Sequence, residues 1–153
     1  MTTFGATVLW TKQENEPFTD NKYSRAHVWQ FDGGAEVPAS SSPHIVRIPF
    51  SAPENVDPEE AFVASLASCH MLFFLSIAAR KGIVVGQYRD AAEGELAKNE
   101  TGRLYVRRVR LRPHISYAGE APDRETEAGI HHEAHEQCFI ANSVLTHVAV
   151  EPA

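Results

Sequence analysis

The stretch DPEEAFVASLASCHMLFFLSIAARKG, residues 57–82, decides the fold. Asp57 can cap a helix, Pro58 suits its first position, and Glu59 and Glu60 favour its positive end. Arg80 and Lys81 stand before Gly82 at the other end, where cations and then glycine close helices. The pattern predicts one helix of about six or seven turns. Between Ala61 and Ala79 the only polar side chains are Ser65, Ser68, His70 and Ser76, so the helix is apolar almost all round. Such a helix is expected to be buried on every side. About nineteen uncharged residues approach membrane-spanning length. Three serines, a histidine and the lack of an aromatic belt favour a core helix and no membrane partner.

Length and composition narrow the class. With 153 residues and 43% hydrophobic content, the chain suits a single domain over residues 1–153 with a substantial core. Fourteen basic against twenty acidic residues give a net charge of −6, which argues against nucleic acid as a partner. The amino terminus, MTTFGATVLWTKQENE, lacks the basic start and apolar run of a secretory signal, so the expected location is cytoplasmic. There, two cysteines are expected to be reduced, redox-active or metal-bound rather than permanently bridged.

Outward from the helix, residues 6–12 and 23–31 read as a strand pair, with Asp32, Gly33 and Gly34 as turn material. Residues 35–50 contain Pro38, Pro43 and Pro49, so any strand there, best placed at 44–48, is interrupted or at an edge. Residues 84–90 suit a short strand, and 93–97 pair with the chain from Arg103 onward across a hairpin at 98–102. Over 103–117, Tyr105, Val109, Leu111, Ile115 and Tyr117 alternate with Arg108, Arg110, Arg112 and His114, one face inward and a solvated basic face outward. Residues 122–138 read as a helix and 143–151 as a closing strand. This order predicts an α+β domain with helices on one side of a largely antiparallel sheet.

Two cysteines, Cys69 inside the apolar helix and Cys138 sixty-nine positions later, are the candidates for chemistry. Taken alone, Cys69 reads as a small buried hydrophobe. A redox role needs a cation nearby, because an apolar pocket by itself suppresses the thiolate. The segment DPEEAFVASLASCH, followed by HEAHEQCFIANS, resembles the OsmC/Ohr family of thiol-dependent hydroperoxide reductases. The amino-terminal YSRAHVWQFDGG resembles its organic-peroxide branch, and the likeness spans nearly the whole chain. The resemblance implies an OsmC-like fold of antiparallel sheets around a long buried central helix, in an interlocked homodimer. It implies reduction of an organic hydroperoxide substrate to an alcohol without a cofactor, then regeneration by a dithiol reductant such as a lipoylated protein. By position, Cys69 matches the peroxidatic cysteine, Cys138 the resolving one, Glu59 the helix-start glutamate and Arg25 the activating arginine. The chain departs from the commoner pattern at Phe139, where proline is usual, and at His70, where an apolar or aromatic residue is typical.

The implied chemistry has physical sense. A sulfenic acid at Cys69 stays reversible only if a second thiol condenses with it, and Cys138 would supply that thiol. An arginine can hold a thiolate and donate to the departing peroxide oxygen, and a glutamate can hold the arginine. Glu59 and Cys69 are ten residues apart on one helix, roughly 15 Å, too far for one guanidinium to bridge. A shared site therefore requires Glu59, with Arg25, to come from a second copy. Ala61, Ala64, Ser65 and Ser68 form the small-residue stripe where two such helices could cross. Two rival readings remain. His131, His135 and Cys138, joined by His132 or His70, have the helical spacing of a zinc site. Phe62, Met71, Leu72, Phe73 and Phe74 could line a pocket in a noncatalytic, small-molecule-binding dimer.

Overall fold

The computed structural model describes residues 1–153. The chain forms two compact units, Met1–Ala61 and Phe62–Ala153.

In the first unit, β1 (Ala6–Leu9), β2 (His27–Phe31) and β3 (Glu36–Ala39) form an antiparallel sheet in that order. The expected pairing of the first two runs is present, with Ala6 opposite Phe31 and Leu9 opposite Val28. The expected strand at 44–48 is not. Those residues form turns, and the third strand lies earlier and contains Pro38. Proline is tolerated there because β3 is an edge strand whose outer side makes only an isolated bridge, Ala39 to Val56, in which Pro38 takes part through its carbonyl by accepting from Val56 N. Trp10, Phe18 and Tyr23 gather around the 13–21 loop, with the Phe18 and Tyr23 rings stacked 4.6 Å apart.

The helix α1 runs over Pro58–Arg80 as expected. Its start is a capping box: Asp57 Oδ1 accepts from Glu60 N at 2.8 Å, and Glu60 Oε2 accepts from Asp57 N at 3.0 Å. Its end is a Schellman turn, with Ile83 N donating to Ala78 O and Gly82 N to Ala79 O. Gly82 takes φ 72°, a backbone that costs a Cβ-bearing residue.

The second unit packs two small sheets against α1 and a second helix. β4 (Val85–Asp90) pairs with β7 (Pro113–Tyr117), and β5 (Glu93–Lys98) with β6 (Leu104–Leu111), both antiparallel. β8 (His147–Val150) lies parallel to β6. The single strand expected over 103–117 is therefore two strands in two sheets, and the one broad sheet is three small ones. The break falls where Pro113 has no N–H to give and Arg112 N donates to Asp90 Oδ1 instead of a ladder. Alternation survives the break: Val109, Leu111 and Pro113 are buried. Outside, Arg108, Arg110 and Arg112 pair with Glu151, Glu95 and Glu93, so the basic row is a solvated ion-paired face.

α2 (Arg124–Gln137) begins at Asp123, whose side chain accepts from Thr126 N, and ends at Cys138 in extended backbone. Two core clusters fill the unit. Phe74, Ile77 and Ala78 of α1 meet Ile130 and Ala134 of α2, and Leu66 meets Val109 and Leu111. Within one chain α1 is not buried on every side. Ala64, Ser68, Leu72 and Ser76, four residues apart, stay exposed, Leu72 at 60%. With a mean hydropathy of 1.9 the helix is also long and apolar enough to cross a bilayer by length and composition. Its buried face nonetheless finds its partners in sheets and in α2, as a core helix does.

Candidate functional site: a thiol pair beside a buried histidine pair

Three residues after the buried Leu66, α1 places Cys69 at a half-buried position. α2 delivers Cys138 at its last turn, where the chain leaves the helix with φ −65° and ψ 110°. Cys138 is 1% exposed and both cysteines are free thiols. The turn after it is tightly bonded. Ala141 N donates to Cys138 Sγ at 3.4 Å, Asn142 N to Cys138 O, Asn142 Nδ2 to Glu136 O and Ser143 Oγ to Phe139 O. The two thiols are neighbours. Burial first, then the neighbouring Cys69, pushes the Cys138 thiol up to about 11, so its proton stays on Cys138 near neutral pH. Phe139 takes the place after Cys138. Its ring, 71% exposed, meets the Phe73 ring edge-on at 5.1 Å, one turn of α1 beyond Cys69.

His70, the next residue along α1, turns inward. It is 1% exposed and its Nε2 lies 3.0 Å from Nδ1 of His131, itself 4% exposed, with the two rings nearly parallel. Burial foremost, then the neighbouring His131 and His135, lowers His70 to about 4. Burial also lowers His131, with Glu127 opposing it. Glu127 Oε1 lies 4.0 Å from His131 Nε2, while its Oε2 accepts from Tyr117 at 2.7 Å. The outer nitrogens His70 Nδ1, His131 Nε2 and His135 Nδ1 are buried without hydrogen-bond partners, as is Tyr88 Oη. The sequence offers these histidines as zinc candidates. Their pairing across two helices went unseen, because no local spacing links positions 61 residues apart.

Arg25 and Glu59 belong to the first unit. The Arg25 guanidinium stacks on the Tyr23 ring 3.7 Å from its centroid and donates to Tyr23 O, Asn21 O and Asn21 Oδ1. It lines an open cleft with Asp20, Asn21, Lys22, Arg47 and Phe50. Glu59 is half-buried and its Oε2 has no hydrogen-bond partner.

The rival sites do not assemble. No group of three His, Cys, Asp or Glu side chains is placed to hold a metal. His131 is committed to His70 rather than aligned with His135 and Cys138, since it faces α1. Phe74 is wholly buried in the core while Leu72 is exposed, so the five apolar residues proposed as a pocket do not share one.

No curated protein matches the chain. An OsmC-like protein of unknown function from Vibrio cholerae shares 52% identity over the full length of both chains, with a TM-score of 0.98. The organic hydroperoxide resistance protein of Elizabethkingia anophelis has a TM-score of 0.72 at 18% identity, over 99% of this chain and 94% of that one. That of Bacillus subtilis has 0.65 at 21%, over 98% of each. These distant likenesses carry the fold. The family model described as OsmC-like protein matches residues 51–153, from the approach to α1 through both cysteines to β8, and the chain belongs to that family.

Proposed function

We propose that the protein is a cytoplasmic thiol peroxidase, built on one OsmC-like domain, that reduces organic hydroperoxides to alcohols. The observation that carries this reading is the placing of two free thiols as neighbours, Cys69 on α1 and Cys138 at the end of α2. The half-buried Cys69 is the nucleophile. Its thiolate attacks the distal peroxide oxygen, the O–O bond breaks, and the alkoxide leaves and takes up a proton as the alcohol. Cys69 is left as a sulfenic acid. Cys138 gives up its proton to the departing hydroxyl as its sulfur attacks that of Cys69, so the S–O bond breaks, water leaves and a disulfide forms. A dithiol, with a lipoylated protein as the expected donor, returns both thiols. The names of the Elizabethkingia and Bacillus proteins support the substrate class.

The cation is expected from a second copy of the chain. Glu59 and Cys69 stand about 15 Å apart along α1, so no single guanidinium serves both in one subunit. An unpaired Glu59 oxygen and the exposed Ala64, Ser68 and Leu72 stripe fit a homodimer in which helices cross and Arg25 and Glu59 of the partner subunit complete the site.

Stopped-flow titration of the reduced protein tests the chemistry. Cumene hydroperoxide should consume both thiols stoichiometrically and much faster than hydrogen peroxide, and Cys69→Ser should abolish turnover. Indifference to both oxidants sinks the reading. Heterodimers of Cys69→Ser and Glu59→Ala chains test the shared site, since half of their sites should regain activity.

A further inference from the structure

Two sulfurs meet only if the two helices that carry them are held in one register. α1 and α2 face each other through Phe74, Ile77, Ala78, Ile130 and Ala134. Apolar side chains of this kind are non-directional in their attraction and tolerate repacking. Inside this buried contact the directional link is the bond between His70 and His131. The other side-chain bond between the two helices, Arg80 to Glu133 at 3.4 Å, lies out in solvent, where such a pair fixes little. Its ends are tied to the thiols by covalent chain: His70 follows Cys69 directly, and His131 precedes Cys138 by seven residues, about two turns of helix.

The surroundings select one form of that bond. If His70 Nε2–H donates to His131 Nδ1, the remaining proton of His131 sits on Nε2 and faces the Glu127 carboxylate 4.0 Å away. The opposite tautomer turns a lone pair toward that carboxylate. Tyr117 Oη, donating to Glu127, holds the carboxylate in place from β7. His135 on α2, and Tyr88 with Asp90 on β4, complete the ionisable groups nearby. A buried polar bond of this kind adds little net stability but penalises every arrangement that breaks it, which is how buried polar groups fix register.

We propose that the His70–His131 hydrogen bond is the positioning element of the thiol pair, setting the register of α1 against α2 that brings Cys69 and Cys138 into contact. The inference deepens the proposed function by assigning its disulfide step a positioning residue, and its test uses no peroxide.

The test is the equilibrium between the Cys69–Cys138 disulfide and mixtures of oxidised and reduced dithiothreitol at pH 7, read as free thiol. In this exchange the two protein thiols pass two electrons and two protons to cyclic oxidised dithiothreitol, which opens to the dithiol. His70→Leu should lower the equilibrium constant for disulfide formation about tenfold, the effect of one lost buried hydrogen bond. His70→Gln, whose amide can place an N–H near the Nε2 position, should stay within about threefold of the parent. In the double variant His70→Leu/His131→Leu neither partner is left unpaired, so thermal stability should recover while the constant stays about tenfold low. That separation of stability from coupling is what a merely structural pair would not give. A folded double variant with the parent constant overturns the proposal, as does His70→Gln falling as low as His70→Leu. A parent protein that forms no disulfide at any poise overturns this inference and the proposed function together. Normal disulfide formation without reaction toward cumene hydroperoxide overturns the function alone.

Discussion

The interior of the Phe62–Ala153 unit has two halves, and α1 crosses both. Around Leu66 the contacts are dry: Val109 and Leu111 from β6, ringed by Phe62, Val63, Val106, Val148 and Val150. Around Phe74 the core is equally buried but carries ionisable groups, with His131 4.5 Å from the Phe74 ring and Tyr88 at 5.5 Å. Cys69 sits on α1 between Leu66 and Phe74. The contrast teaches that the helix has two tasks. Its first half anchors the fold through packing alone, and its second half accepts costly buried polar groups where the second sulfur-bearing helix docks.

Substitutions that break or sharpen this contrast rank by size. Leu66→Ala opens a cavity in the dry half and should cost about 2–5 kcal/mol in urea unfolding, with little change in its pH dependence. Acid should strike the other half. His70 is lowered from 6.5 to about 4, so the folded state disfavours its charged form. The unfolded chain then binds the extra proton, and stability is complete above pH 6.5 and lost as pH falls toward 4. The shift corresponds to about 3 kcal/mol, and His131 adds in the same direction. Glu127, His135, Tyr88, Asp90 and Tyr117 surround the pair, and of these Glu127 opposes the effect on His131. Urea midpoints at pH 7 and pH 4.5 should converge in His70→Leu/His131→Leu. Gly94→Ala probes the dry half again, because a Cβ there would lie 2.6 Å from Val63 Cγ2. It should cost about 1–3 kcal/mol in thermal unfolding, and adding Val63→Ala should recover part of that loss. Arg110→Ala removes a surface pair with Glu95, each side chain about a third to a half exposed, and should change stability by under about 1 kcal/mol.

How much was legible in the sequence follows the range of the interactions. α1 could be read to within a residue, because Asp57, Pro58 and Gly82 act within a turn of where they stand. The hairpin before Arg103 was legible for the same reason. Strand β3 was misplaced because Pro38 argues against a strand, and only the identity of its neighbours reveals that it lies at an edge. The break at Arg112 was hidden because the bond that makes it comes from Asp90, twenty-two residues away. Cys69 and Cys138 stood out as residues, yet their contact was supplied by family resemblance, not by spacing. The His70–His131 bond left no trace at all, since an isolated histidine reads the same whether it faces water or another ring.

Cys138 ends α2 rather than lying within it, and that has a spectroscopic corollary. The sulfur rides on backbone whose own N–H makes one bond to the helix, to His135 O at 3.3 Å. With Cys69 already its neighbour, the sulfur can close the bond by turning about the Cys138 side chain, without unwinding a single upstream turn. Far-ultraviolet dichroism of the dithiol and disulfide forms should therefore superimpose, leaving the change of state to be seen only by aromatic reporters such as Phe73 and Phe139.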